Sequence, residues 1–153
     1  MTQPQPVMTA AELNSYIAEV YPQILEQYPG HDVLTVEPGH VVVRMNTDDR
    51  HIRAGGTVSG PTLFALADMG GYSCVLSHVG REALAVTTNL NINFMRKADP
   101  GPLDADCRIL KLGKRLMVFE ATIRPAAASG SGSGGGGDEV VAHATGTYAI
   151  PPK

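Results

Sequence analysis

The chain has 153 residues, of which 43% are hydrophobic and 18% charged, with a formal net charge of -3. This composition is typical of one globular domain and argues against disorder. Without a basic block or a long apolar stretch, the sequence predicts neither a nucleic-acid surface nor a membrane span. It predicts no signal peptide either, so we expect a cytoplasmic protein.

The cysteines and histidines show no pattern typical of a metal site. Cys74 and Cys107 lack the spacing of metal ligands, and the five histidines are scattered along the chain. We therefore expect two reduced thiols rather than a disulfide. We also expect no metal and no redox cofactor.

The first third of the chain predicts a divided helix followed by a β-hairpin. Residues 1–8 are rich in Pro and Gln, which predicts a frayed tail. Thr9 and Glu12 have the spacing of a capping box, so a helix should follow them, and Pro22 should bend or split it. Two β-like runs then flank the turn sequence "EPGH", which predicts an antiparallel hairpin.

The middle of the chain predicts one long buried helix from Gly60 to about Val79. The stretch "SGPTLFALADMGGYSCVLSHVG" begins with turn residues, is apolar on nearly all sides and ends at Gly80. Such a helix has to be covered on every side. A sheet that curls around it would do this, as would a second copy of the chain on its remaining face.

The rest of the sequence predicts antiparallel strands. In "VTTNLNINF" the alternation places Val86, Thr88 and Leu90 on an apolar face and Thr87 on the opposite, polar face. The Gly/Ser tract at 127–138 predicts a flexible loop between the last two strands. These patterns together predict an α+β fold.

Strands on both sides of the Gly/Ser tract indicate a single domain. A second domain would have too little chain after the tract to form a core. We therefore expect residues 1–153 to form one domain.

The start of the long helix has the features of an oxyanion hole. Ser59 suits the N-cap, and Pro61 suits the first turn because its missing N–H is not needed there. The first-turn amides have no acceptor inside the helix, so Gly60 N–H is free to polarise a carbonyl. An ordinary capped helix is the alternative interpretation.

Asp68 is the single acid within this apolar helix. Aspartate is unfavourable in a helix interior and an unpaired buried carboxylate is costly, so Asp68 should be functional or held by a strand. Eight residues separate it from Gly60, about 12 Å along a helix and too far for both to act on one carbonyl. Two helices related by a two-fold axis would bring them together, which predicts an obligate dimer.

Four stretches of the sequence resemble a known family. They are "GGTVSGPTLFALAD", "AVTTNLNINFMRKADPGPL", "LKLGKRL" and "VAHATGTYAI". Their order and spacing are similar to those of hotdog-fold acyl-CoA thioesterases of the phenylacetate-pathway type, relatives of 4-hydroxybenzoyl-CoA thioesterase. The resemblance implies a hotdog fold, in which a curved antiparallel sheet wraps a long central helix. It also implies sheets paired edge to edge in homodimers, further assembly into homotetramers, and coenzyme A thioesters as substrates.

The resemblance also implies catalytic positions. Gly60 matches the glycine whose backbone N–H polarises the thioester carbonyl. Asp68 matches the carboxylate that activates water or attacks directly. Thr87 falls where relatives hold a hydroxyl that orients the water; a threonine chosen for its strand propensity is the alternative.

Two positions near the helix start depart from the family pattern. Ser59 stands where the family commonly has His, although its hydroxyl can still donate a hydrogen bond. Arg53 stands where the family commonly has Asn. Arg53 could polarise the carbonyl, bind a carboxylate on the acyl chain, or pair with Asp68 and neutralise it. His51 is an alternative polar partner, and as a lone loop histidine it is expected at the surface.

Further candidates would bind the substrate rather than react with it. The candidates for the acyl pocket and its rim are Leu63, Phe64, Tyr72 and Asn89. The candidates for the coenzyme A phosphates are the cations Arg96, Lys97, Lys114 and Arg115, together with Lys111. Core packing and solvated turns are the alternatives for these two groups.

The sequence therefore predicts hydrolysis of an acyl-CoA to a carboxylic acid and free coenzyme A. The alternative is a non-catalytic acyl-CoA-binding hotdog protein in which Arg53 neutralises Asp68. A hotdog hydratase or dehydratase fits less well, because the His-plus-Asp pair of its motif is absent from the sequence.

Overall fold

The fold combines helices with one six-stranded antiparallel sheet. The computed structural model describes residues 3–126 and 139–152. Their helices are α1 (Ala10–Val20), α2 (Pro22–Gln27) and α3 (Gly60–Val79), with a 3-10 turn at Asp49–His51. Their strands are β1 (Asp32–Glu37), β2 (His40–Asn46), β3 (Val86–Phe94), β4 (Pro102–Leu112), β5 (Leu116–Pro125) and β6 (Ala142–Ala149). The predicted flexible loop at 127–138 lies outside the described residues.

The helix ends follow the local sequence. Thr9 and Glu12 form the predicted capping box, each side chain bonded to the backbone N–H of the other. Pro22 splits the first helical stretch into α1 and α2, because its ring cannot continue the α1 hydrogen-bond ladder. Ser59 caps α3, and Gly80 ends it with φ 114°, a conformation that favours glycine.

The segment before α1, predicted to be frayed, is held at its C-terminal end. The backbone N–H of Val7 donates to Ser77 O at 2.6 Å, and that of Met8 donates to the same oxygen at 3.3 Å. Both bonds tie the tail to the last turn of α3. The sequence contains no signal for this docking, because the acceptor lies seventy residues away along the chain.

The sheet has the order β1-β2-β4-β5-β6-β3, and every neighbouring pair is antiparallel. The sheet is not closed, so β1 and β3 are its edges. Helix α3 packs on β2 through β6. This arrangement confirms the predicted hotdog fold and explains why α3 is apolar on nearly all sides.

A pair of glycines lets α3 approach the sheet closely. A Cβ at Gly70 would collide with Cys107 Sγ, and one at Gly71 would collide with the ring of Phe119. Overpacking of this kind typically costs about 1–3 kcal/mol. The two thiols are free and fully buried, Cys74 on α3 and Cys107 on β4.

A β-bulge in β3 corrects the predicted strand face of Thr87. In the ladder with β6, Thr87 pairs with Tyr148 and Asn89 pairs with the next residue, Thr147. Thr88 is therefore the extra residue, and the alternation shifts by one position there. Thr87 faces α3 on the same side as Leu90, so the predicted placement on the opposite, polar face is wrong.

Candidate active site

Asp68 lines a cleft on one side of α3. The cleft has a volume of about 300 Å3. We call it the acid cleft, and its lining consists of Val20, Tyr21, Asp68, Met69, Tyr72, Ala83, Ala85, Val86, Thr87 and Tyr148. Asp68 is half-buried and is the only charged residue in this lining. The carboxylate is thus placed at an accessible cavity with mostly apolar and aromatic walls.

Two hydroxyl groups hold the Asp68 carboxylate. Thr87 Oγ1 donates to Asp68 Oδ1 at 2.5 Å. The Tyr148 hydroxyl donates to the same oxygen at 2.7 Å and lies 2.9 Å from the Asp68 backbone oxygen. Because Thr87 and Tyr148 are directly paired on β3 and β6, the sheet register sets both contacts.

The tyrosines beside the acid remain protonated in ordinary buffers. Burial, followed by the negative charge of Asp68, raises the pKa of Tyr148 well above its usual range. Burial also raises the pKa of Tyr72 to about 12. The Tyr72 hydroxyl donates to Ala83 O at 2.8 Å, so it serves the backbone rather than the carboxylate.

A second cleft lies at the N-terminus of α3. Its volume is about 400 Å3. We call it the glycine cleft, and its lining consists of Arg53, Thr57, Val58, Gly60, Leu63, Phe94, Met95, Arg96 and Lys97. Three of these residues are cationic and none is acidic. The wall therefore favours an anionic group.

Gly60 lines this cleft, and its amide N–H has no acceptor among the described residues. Ser59, before it, donates its own N–H to His51 O at 2.8 Å, while its Oγ accepts the N–H of Thr62 at 3.3 Å. A Cβ at Gly60 would lie 3.3 Å from the Phe94 ring, so glycine leaves room at this end. The geometry is that of a donor at a helix N-terminus.

Arg53 lies beside Gly60, not beside Asp68. It begins a tight turn, with its N–H donating to Thr57 O and its carbonyl accepting the N–H of Gly56. Among the ion pairs of the described residues, none joins Arg53 to Asp68. Neutralisation of Asp68 by Arg53 would therefore require the arginine of a second copy.

The structure separates the cations proposed for phosphates into two groups. Arg96 and Lys97 line the glycine cleft. Lys114 and Arg115 line a different cleft of about 520 Å3, which includes His78 near the other end of α3. Within one protomer the two pairs therefore face different cavities, and Lys111 is exposed on β4 near the second pair.

The candidates for the acyl pocket divide in the same way. Leu63 lines the glycine cleft, and Tyr72 lines the acid cleft. Phe64 is 41% exposed on α3, and Asn89 is exposed on β3 next to the bulge. Within one protomer, neither of these two residues belongs to the lining of the two clefts.

His51 is buried rather than at the surface, which corrects the sequence-based expectation. Its ring is 5% exposed and stacks on Tyr28 with ring centroids 5.0 Å apart. Nδ1 accepts the N–H of Asp48 at 3.0 Å, and Nε2 lies 3.0 Å from Gln27 O. His51 therefore shapes the loop before Ser59 and has no free nitrogen for a substrate.

Two classes of feature are not found in the part of the chain that the structure describes. No three of its His, Cys, Asp or Glu side chains are grouped so that they could hold a metal ion. None of its helices has the length and apolarity needed to cross a membrane.

Comparison with known proteins identifies relatives along most of the chain. The family profile of the Thioesterase superfamily matches residues 55–127. A predicted esterase of Pseudomonas aeruginosa is 32% identical over 113 residues, which represent 72% of this chain and 75% of that protein.

Solved structures extend the similarity to nearly the whole chain. A predicted thioesterase from Silicibacter sp. TM1040 is 41% identical with a TM-score of 0.81, over 98% of this chain and 96% of that chain. The Escherichia coli PaaI protein, from the phenylacetic acid degradation operon, has 20% identity and a TM-score of 0.72. That match covers 94% of this chain and 96% of the PaaI chain, and it shows a shared fold.

Proposed function

Because the chain belongs to the thioesterase superfamily and is therefore a thioester hydrolase, we propose that it hydrolyses an acyl-CoA to a carboxylic acid and free coenzyme A. One observation carries the proposal. Asp68, the lone acid of a buried helix, opens onto a cleft and has its carboxylate fixed by Thr87 and Tyr148. A general base or nucleophile needs such a fixed geometry at an accessible cavity.

The active site would be shared between two copies of the chain. Within one protomer, Gly60 and Asp68 line different clefts on α3, about 12 Å apart along the helix axis. A two-fold axis beside α3 would place Gly60 of a second copy opposite Asp68. Strand β3 supports this assembly, because it is an unpaired sheet edge with Val86 57% and Phe94 55% exposed.

The proposed reaction needs only water as the second reactant. Asp68 accepts a proton from water while the water oxygen bonds to the thioester carbonyl carbon. Negative charge develops on the carbonyl oxygen, where Gly60 N–H of the second copy donates a hydrogen bond. The carbon–sulfur bond then breaks, and the proton on Asp68 passes to the leaving sulfur. Direct attack by Asp68 would instead form an anhydride that water hydrolyses.

The cations of the glycine cleft would bind the coenzyme A part of the substrate. Arg53, Arg96 and Lys97 present positive charge with no acid in the same lining, and Arg96 Nη1 also lies 3.9 Å from Glu139 Oε1 outside that lining. Charge-assisted hydrogen bonds from such groups suit phosphates. Lys114 and Arg115 would contribute only if the second copy brings their cleft close to this one. The acyl chain would then extend towards the acid cleft and Tyr72.

Thiol release over a panel of acyl-CoA esters tests this function. We expect the parent to release thiol from at least one ester and Asp68→Asn to lower kcat by about 100-fold to 10,000-fold, the usual contribution of a general base. Asp49→Asn is a matched control, since Asp49 is exposed in the 3-10 turn and lines neither cleft.

The same assay distinguishes hydrolysis from simple binding. A parent that binds acyl-CoA esters without releasing thiol from any of them would contradict hydrolysis and support the non-catalytic alternative. Full activity in Asp68→Asn would contradict the role of Asp68 and leave the proposed hydrolysis standing. Light scattering on the active species provides the second check, since an active monomer would contradict a shared site.

A further inference from the structure

The Tyr148 hydroxyl contacts both the side chain and the backbone of Asp68. The residue lies on β6 and is 3% exposed. Its hydroxyl is within hydrogen-bond distance of both the side-chain Oδ1 and the backbone oxygen of Asp68, at 2.7 and 2.9 Å. One phenol therefore fixes the carboxylate relative to the helix that carries it.

The two oxygens of the Asp68 carboxylate have different surroundings. Oδ1 accepts from both Thr87 and Tyr148. Among the described residues, no group donates to Oδ2. Rotation of the carboxylate would break both bonds to Oδ1, so the two hydroxyls select one orientation and leave Oδ2 without a donor among the described residues.

We infer that Tyr148 is a positioning residue, which locks the Asp68 carboxylate through Oδ1 so that Oδ2 meets the reacting water or carbonyl. This inference rests on the proposed role of Asp68 in thioester hydrolysis. Tyr148 acts through the acid and need not touch the substrate. Thr87, on the neighbouring strand β3, also bonds Oδ1 and shares this positioning role.

The protonation of Tyr148 is consistent with this role. Burial and the charge of Asp68 raise the pKa of the phenol, so the hydroxyl keeps the proton that it donates. The other titratable groups in the cleft lining are Tyr21, at the end of α1, and Tyr72, on α3. The Tyr72 hydroxyl is already committed to Ala83 O, which leaves Tyr148 as the tyrosine that bonds the acid.

Kinetics of Tyr148→Phe test the inference. The variant keeps the ring and its packing on Phe119, but it loses the hydroxyl. We expect kcat to fall about tenfold to 100-fold, the scale of a misplaced catalytic group, with KM changed less than about twofold. Tyr16→Phe is the matched control, because Tyr16 is also buried yet does not line the acid cleft.

A spectroscopic measurement tests the contact without relying on activity. The chain has five tyrosines, so protein labelled with carbon-13 at tyrosine Cζ gives few enough signals to assign by single Tyr→Phe variants. We expect Asp68→Asn to shift the Tyr148 signal and to leave the Tyr16 signal unchanged. An unchanged Tyr148 signal would overturn the contact.

The outcomes separate the two proposals. An active parent whose Tyr148→Phe variant keeps full kcat overturns the positioning role and leaves the proposed function intact. A rise in KM with kcat preserved in Tyr148→Phe also overturns the positioning role. A parent that releases no thiol overturns the proposed function, and the role of Tyr148 in the reaction fails with it.

Discussion

The glycine cleft and the acid cleft occupy the same helix but are built in opposite ways. At the glycine cleft the proposed reactive group is a backbone amide, and the surrounding charges are the cations Arg53, Arg96 and Lys97. At the acid cleft the proposed reactive group is the side chain of Asp68, which is the only charge in the lining. The glycine cleft has a backbone donor and no acid in its lining, whereas the acid cleft has a carboxylate to which the Thr87 and Tyr148 hydroxyls already donate.

This difference indicates why one helix would serve two reaction centres. Ester hydrolysis requires a donor at the carbonyl oxygen and a base at the water, on opposite sides of the reacting carbon. The two clefts are also complementary in charge. Bringing the cationic cleft of one copy to the acid cleft of another would complete the chemistry and reduce the electrostatic imbalance of both surfaces.

At the glycine cleft, the largest expected effect comes from removing the backbone donor. Gly60→Pro deletes the N–H at a helix position that tolerates proline. We expect kcat to fall about 100-fold to 1,000-fold, the usual loss for one oxyanion donor, with little change in Tm. Gly60→Ala is the matched control, because both variants place a Cβ near Phe94 but only the alanine keeps the N–H, so Gly60→Ala should lose far less activity.

Mixing the two inactive variants tests whether the clefts of different copies meet. Dimers of Gly60→Pro with Asp68→Asn contain one site with both defects and one intact site, if each site is shared. An equal mixture refolded together should therefore recover about a quarter of the parental activity. No recovery would mean that each active site lies within one copy and that the two clefts do not combine across a dimer.

Arg53 offers a smaller, more selective test of the cationic cleft. We expect Arg53→Asn to raise KM for acyl-CoA about threefold to tenfold with kcat nearly unchanged, because a cation that binds phosphate is lost. Arg50→Asn is the control, since Arg50 is exposed on the same loop and already paired with Asp48. A severalfold gain in kcat would show instead that Arg53 of a second copy suppresses Asp68.

The smallest expected effect is an alkaline loss of stability that belongs to the acid cleft. The pKa of Tyr72 rises from 10.0 to about 12 on burial, so the folded chain keeps a proton that the unfolded chain loses. This contribution is fully present below pH 10 and is lost as pH rises towards 12. Thermal melts should show Tm falling across that window, with a shallower slope in Tyr72→Phe and an unchanged slope in Gly60→Ala.

Features that depend on neighbouring residues could be predicted from the sequence. The capping box at Thr9, the split at Pro22 and the limits of α3 at Ser59 and Gly80 all follow from local backbone chemistry. The choice of Asp68 as the candidate acid also followed from local sequence, since one carboxylate in an apolar helix is conspicuous.

Features that depend on strand pairing could not be predicted in this way. The bulge at Thr88 has no distinctive signal in "VTTN", yet it decides that Thr87 faces the acid. Tyr148 was missed for a similar reason. The one signal in the sequence is weak. Alternate residues of β6 face inward, namely Ala142, Ala144, Gly146 and Tyr148, and Tyr148 is the one of these four that carries a hydroxyl. Only the register with β3 shows what that hydroxyl reaches.

The bulge at Thr88 affects both the orientation of Thr87 and the shape of the sheet edge at β3. The same extra residue that turns Thr87 towards the acid disrupts the ladder of an edge strand, the one proposed to meet a second copy. A lineage that straightened this edge to bind its partner more tightly would rotate Thr87 away from Asp68. If β3 meets a second copy, a stronger contact at this edge would therefore be gained at the expense of the hydroxyl that holds Asp68.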